Sequence, residues 1–202
     1  MKMKRLEIDL RRRLNGPVYL ASARAPLAEH LLDSDDRQRL ASFTTTDRKK
    51  QWLRGRSALS AVAAKLDIET QLSALNPPCP GISLTHNDKI SIAAGIGTAQ
   101  GIGIDFESWR QIEPAMLRWF LTETEQEQLT VPSNFTRLRL WTVKQALFKA
   151  SAANHGLLLT DFEIDEVAEM TGRARNYSRE NSELRYTSFM LRQGLLSIAI
   201  ED

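Results

Sequence analysis

The stretch Gly101-Ile102-Gly103-Ile104-Asp105-Phe106-Glu107 decides how the rest of the chain is read. It predicts an apolar strand ending in two acids. Side chains alternate faces along a strand, so Asp105 and Glu107 share one face and Ile104 and Phe106 share the other. Neighbouring carboxylates repel unless a cation lies between them. A hard divalent ion such as Mg²⁺ suits that place, because it usually binds through one or two carboxylates plus substrate phosphates. Taken alone, the pattern is more simply a strand leaving the core with two solvated acids. A second stretch, Trp141-Thr142-Val143-Lys144-Gln145-Ala146-Leu147-Phe148-Lys149, shifts that balance.

The second stretch belongs to a helix predicted from Pro132-Ser133-Asn134 to about Asn154, with Gly156 at a C-cap-like position. Leu140, Val143, Leu147 and Ala150 fall on its core side. Trp141, Gln145 and Lys149 form an i, i+4, i+8 row with Lys144 beside it. An aromatic ring, an amide and two ammonium groups thus line one edge, which also suits lysines snorkelling from an amphipathic helix.

The surrounding sequence narrows the function classes. The chain has 202 residues, 42% of them hydrophobic, which allows one large domain or two small ones with a real core. A net charge of +2 does not suit a dedicated nucleic-acid binder. The single cysteine, Cys79, excludes an intrachain disulfide and a cysteine metal cluster. His30, His86 and His155 lack zinc-ligand spacing. Asn15, Gly16 and Pro17 interrupt the run after Arg11-Arg12-Arg13, which argues against a signal peptide. No run reaches the roughly 18 apolar residues of a membrane span. These features predict a cytoplasmic protein.

Residues 5–10 and 17–22 alternate like two strands around a Gly16-Pro17 turn. Residues 26–42 predict a helix starting near Pro26. Thr44-Thr45-Thr46-Asp47 is a helix-start cluster, and the helix after it runs to about Leu66 with Trp52, Leu59, Val62, Ala63 and Leu66 inward. Arg48, Lys49, Lys50, Arg54 and Arg56 load its first turns with positive charge, either a solvated face or a phosphate site. Asn76 to Gly81 is a proline-rich loop. Residues 82–86 and 90–96 predict strands, with Thr85 and His86 displayed at a strand end. Residues 113–129 are mostly helical, broken near Thr122, with Glu123, Glu125 and Glu127 expected outside. Residues 186–191 and 195–200 predict a hairpin through Gln193-Gly194, and the acids of residues 161–169 a solvated face. The helix at 52–66 with Ser91-Ile92-Ala93, and the helix at 141–154 with Ser197-Ile198-Ala199, echo each other, which suggests two halves built alike.

Together these residues resemble the 4'-phosphopantetheinyl transferases of the surfactin-synthetase-activating type. Residues 102–107 and 141–149 are similar to that family's paired signature, Gly-Ile/Val-Asp-x-Glu and Trp-x-x-Lys-Glu-x-x-x-Lys. Residues 52–59, 83–87 and 120–125 resemble three further segments in the right order. The resemblance implies an α/β (α+β) pseudo-dimer, with similar subdomains at 1–100 and 101–202 and the active site in the cleft between them. It implies Mg²⁺-dependent transfer of the phosphopantetheine arm from coenzyme A to a serine of an apo acyl or peptidyl carrier protein, by a monomer, with release of 3',5'-ADP. By the same resemblance Asp105 and Glu107 would hold the metal, and Lys149 would stabilise the pyrophosphate and the departing group. Lys144 would support that helix edge. Arg48, Lys50, Arg56, Thr85 and His86 would meet the phosphates of the ADP end.

Three departures stand out. The family's Lys-Glu pair is Lys144-Gln145 here, and a Gln neither takes a proton at neutral pH nor matches a carboxylate as a Mg²⁺ ligand. Either Glu125 supplies the missing carboxylate or base, or water completes the metal shell, or the chain is a weak relative that binds coenzyme A or a carrier without efficient transfer. The loop before the histidine strand lacks the family's Gly-Lys-Pro segment. Thr85 stands where the family prefers Ser.

Overall fold

The computed structural model describes residues 3–97, 101–151, 154–178 and 182–201. It is a mixed α/β fold with two antiparallel sheets. The chain opens with α1 (Met3–Arg13) and β1 (Val18–Ala23), then α2 (Ser34–Ser42) and α3 (Thr46–Lys65). It continues through β2 (Ile82–His86), β3 (Ser91–Ile96) and β4 (Ile102–Ser108) to α4 (Glu123–Glu127) and α5 (Asn134–Ala150). It closes with β5 (Phe162–Ile164), β6 (Thr171–Asn176), β7 (Ser182–Leu191) and β8 (Gly194–Glu201). The first sheet has the order β1-β3-β2 and the second β4-β8-β7-β6-β5.

Helix α1 replaces the strand expected over residues 5–10. Leu6, Leu10 and Leu14 recur every fourth residue and are all buried, whereas Ile8 is 56% exposed. That four-residue period sets one helical face against the core and overrides the shorter alternation. Arg11, Arg12 and Arg13 close its last turn, where cations suit the negative end of a helix. Helix α2 starts later than Pro26, at an Asp33 cap whose side chain accepts from the Asp36 amide. Helix α3 begins where the threonine cluster predicts, with Thr45 accepting from the Arg48 amide.

Each long helix covers one face of one sheet. Leu59, Val62 and Ala63 of α3 pack on Ala21, Ile82 and Ala93. Val143, Ala146 and Leu147 of α5 pack on Leu195, Ala199, Leu184 and Tyr186. The opposite faces of both sheets meet in a shared core with α1, where Leu20, Ile92 and Ile96 lie with Ile104, Phe106 and Ile198. Helix α5 ends at Ala150 rather than near Asn154, with Ser151 already extended. Gly156 has a positive φ of 84°, but it follows the helix end by several residues and does not cap it.

The sheets touch along edge strands β2 and β4. The Ile104 amide donates to Ser83 Oγ and the Phe106 amide to Thr85 Oγ1, both at 3.1 Å. Two hydroxyls spaced i, i+2 on β2 therefore take the place of carbonyl acceptors for an edge that would otherwise bury unpaired N–H groups. The boundary predicted at residue 100 adjoins residues 98–100, which lie outside the described residues.

Candidate active site

The site lies over the β2–β4 seam, between the start of α3 and the side of α5. Its placement begins with two glycines. A Cβ on Gly103 would sit 1.8 Å from the Ala146 carbonyl oxygen, and one on Gly101 would sit 1.8 Å from that of Ala150. Only glycine lets α5 lie directly on the β4 backbone. That contact carries the Trp141–Gln145–Lys149 row to the face on which Asp105 and Glu107 stand, as strand alternation predicts.

Lys149 Nζ lies 2.7 Å from Asp105 Oδ1 and 3.2 Å from the Ile104 carbonyl oxygen. Thr85 Oγ1 reaches the same Asp105 oxygen at 3.4 Å. Asp105 is only 7% exposed, and its Oδ2 is buried without a partner. Burial pushes the Asp105 carboxyl above its ordinary range, and the Lys149 ammonium offsets part of that shift. Glu107 is held from two sides. Trp141 Nε1 donates to Oε1 at 2.9 Å, and the Arg110 guanidinium grips both oxygens at 3.1 and 3.2 Å. Gln145 lies one helical turn from both Trp141 and Lys149, between the two contacts that α5 makes with the acids.

These acids line a cavity of about 440 Å³ together with Thr85, His86 and Lys149. His86 also borders a cavity of about 220 Å³ walled by Arg48, Trp52, Arg56 and Asn76. Arg48 in turn opens onto a third, of about 430 Å³, where Arg48, Lys50 and Arg54 face Asp47 and Asp88, three cations to two acids. The cleft is therefore acidic at β4 and cationic towards α3. Desolvation, then Arg48, Lys149 and Arg54, hold the His86 pKa below its usual 6.5. Such a convergence of cations favours an anion.

Three predicted residues stand differently. Glu125 is neither outside nor in the cleft. It is fully buried, with Oε1 taken by Lys144 Nζ at 2.6 Å and the Ile164 amide at 2.7 Å. Its Oε2 accepts from the Thr122 amide at 2.7 Å, which completes a capping box for α4. Lys144, equally buried, also donates to the Phe162 carbonyl. This pair ties α4 to α5 and β5, so neither residue reaches the acids. Arg56 forms a wall of the middle cavity, yet it is 2% exposed. Its two terminal nitrogens are spent on Asp36 and Asn76 at 2.8 Å and on the Leu72 and Leu75 carbonyls, Nε has no partner, and the guanidinium lies over the Trp52 ring. It holds the loop at residues 72–76 in place. The reading of the sequence omitted Arg110 and Ser83. Ser83 carried a signal in its i, i+2 spacing from Thr85. Arg110 carried a weaker one, a cation three residues beyond Glu107.

Asp105, Glu107, Gln145 and Lys149 all fall inside the segment that a comparison with protein families picks out. Residues 101–196 match the model of the 4'-phosphopantetheinyl transferase superfamily. The superfamily match runs from β4 to the start of β8 and leaves α3, His86 and the cationic end of the cleft outside it. No curated protein matches the chain.

Proposed function

We propose that the protein is a Mg²⁺-dependent 4'-phosphopantetheinyl transferase of the surfactin-synthetase-activating type. In this reading a serine of an apo acyl or peptidyl carrier protein attacks the β-phosphorus of coenzyme A. The bond to the bridging oxygen breaks, 3',5'-ADP leaves, and the serine proton passes to solvent. The observation that carries this reading is the buried, unpartnered Asp105 Oδ2 beside Lys149, inside the segment matched by the superfamily.

The residues fit a hard cation. Asp105 offers a free carboxylate oxygen, Glu107 a second carboxylate and Gln145 an amide oxygen, and such an ion commonly keeps water in its remaining positions. Among the described residues no group of three or more His, Cys, Asp or Glu side chains could hold a metal; the set proposed is the two carboxylates, with Gln145 one helical turn from Lys149 as the neighbouring amide. When bound, the ion would neutralise charge on the pyrophosphate as the P–O bond breaks. Lys149 places an ammonium beside the same oxygens and holds Asp105 in orientation. His86, Arg48 and Lys50 form the cationic end, which suits the phosphates of the ADP portion. Thr85 fixes β4 through the Phe106 amide and also reaches Asp105. Glu125 is sealed in the core, so a base supplied by that residue drops out, and water completing the metal shell is the account kept.

The two halves, each a long helix on an antiparallel sheet, support a pseudo-dimer, in this reading divided at 100/101 and taken as a cytoplasmic monomer without a nucleic-acid partner. No helix among the described residues is long and apolar enough to cross a membrane.

Gln145 motivates a second reading, a relative that binds coenzyme A or a carrier without efficient transfer. One experiment separates the two. The protein is incubated with coenzyme A, Mg²⁺ and a panel of apo carrier proteins, and each carrier is weighed intact. A phosphopantetheine mass gain on a carrier, lost in Asp105→Ala, is the expected result. Undiminished transfer by Asp105→Ala would overturn the proposed site. If only Gln145→Glu transfers, by about tenfold or more above the native chain, the weak-relative reading holds; changes of that size are common when one group around a metal is altered.

A further inference from the structure

The two acids of the cleft are not equally available. Asp105 keeps one oxygen free, whereas both oxygens of Glu107 are held by Arg110, and one of them by Trp141 as well. The Arg110 guanidinium also lies over the Trp141 ring, 5.6 Å from its centroid. The Arg110 backbone is pinned, since its carbonyl accepts from Asn134 Nδ2 at 2.9 Å and the Ile112 amide donates to Asn134 Oδ1 at 2.9 Å. Its side chain is 38% exposed and borders solvent. A fixed base under a side chain open to water is suited to swinging away without moving the strand.

We propose that Arg110 is an internal counter-ion that competes with a divalent cation for Glu107, so that loading the cleft releases its guanidinium. The inference rests on the metal reading of Asp105 and Glu107 given above. With Lys149 on Asp105 and Arg110 on Glu107, two carboxylates face two cations and the cleft is self-neutralised. Like-charge repulsion, which would otherwise draw a cation in, is thereby relieved. Asp105 Oδ2 is buried but unpartnered, so a cation takes it without breaking a bond, whereas it reaches Glu107 only by taking the place of a bidentate arginine, the stronger form of carboxylate pairing. Arg110 therefore weakens cation affinity and keeps the carboxylates aligned until the cation arrives.

The test measures Mn²⁺ binding to the full chain by calorimetry, without coenzyme A or carrier. Arg110→Gln removes the charge and the fork, and Arg110→Lys keeps the charge alone. Arg110→Gln is expected to bind Mn²⁺ about two- to fivefold more tightly, the range that an exposed ion pair is worth. Arg110→Lys is expected to fall between it and the native chain, and Asp105→Asn to lose binding. Unchanged or weaker binding by Arg110→Gln, with binding still lost in Asp105→Asn, would overturn the counter-ion and leave the metal reading in place. No binding by any of the proteins, or full binding by Asp105→Asn, would overturn both.

Discussion

His86 reports on the electrostatics of the cleft. Its protonated form is disfavoured by burial and then by Arg48, Lys149 and Arg54. The folded pKa is thus below 6.5, and below that value the unfolded chain binds more protons than the folded one. Stability at His86 is fully present above 6.5 and is lost as pH falls through that value towards the lower, folded one. An anion at the cationic end would reverse the balance by favouring the imidazolium. An NMR titration is therefore expected to place His86 below 6.5 in the free protein and to move it upward when coenzyme A is added. A midpoint that stays put would remove His86 from the proposed phosphate site. How far such roles were legible in the sequence depended on the residue. The placement of Asp105, Glu107 and Lys149, though not their roles, follows from periodicity, because strand and helix each fix which side chains share a face. Arg56 and Glu125 did not, because a charged side chain does not announce its partner. Asp36 lies 20 positions before Arg56 and on another helix. For Glu125 a local signal did exist, since Thr122 three residues ahead makes a capping box that already engages the carboxylate.

At the scale of elements, the Lys144–Glu125 pair decides how α5 is fastened to its own half. Both side chains are fully buried, and burial pulls the Lys144 pKa down while Glu125 pulls it back up. A buried pair of this kind adds little net stability, but breaking it strands a charge. Lys144→Met would leave the Glu125 carboxylate facing only the Thr122 and Ile164 amides, and it is expected to cost about 3–5 kcal/mol. Adding Glu125→Gln removes the stranded charge and keeps an acceptor for an amide, so the double variant should recover much of the loss. Urea unfolding midpoints of the two variants check both statements. A single variant as stable as the native chain would show that the pair is not buried in solution. The elements themselves were mostly visible in sequence, because α3, α5 and β4 carry long periodic runs with clear caps. Helix α1 was not: over residues 5–10 both periods fit, and only packing against the core chooses between them.

The whole molecule has two similar-looking halves, each with a cluster of its own under its long helix and a third cluster that both share. Leu6, Leu10 and Leu14 lie in one cluster with strands from both sheets, and Arg13 reaches across to Thr171 and Thr187 of the second sheet. The Arg185 guanidinium returns the contact, donating to the Leu14 carbonyl at 2.5 Å. The echo between residues 52–66 and 141–154 pointed to paired halves. The sharing between them was not legible, because a hydrophobic pattern shows which face is buried and not what buries it. The arrangement predicts that the halves unfold together. Leu10 is fully buried at the middle of the shared cluster, and Leu10→Ala is expected to cost about 2–5 kcal/mol. For a chain of this length each kcal/mol lowers the melting temperature by about 2–4 °C, so the loss should be plain in a thermal scan. Tryptophan fluorescence sees Trp52 in the first half and Trp109, Trp119 and Trp141 in the second, so it is weighted to the second half, while far-UV circular dichroism sees the helices of both. The two signals should move down together in Leu10→Ala and stay superimposed. If the second half instead kept its native melting temperature while the first melted early, α1 would serve only β1 and the seam between the sheets would be a contact between independent domains.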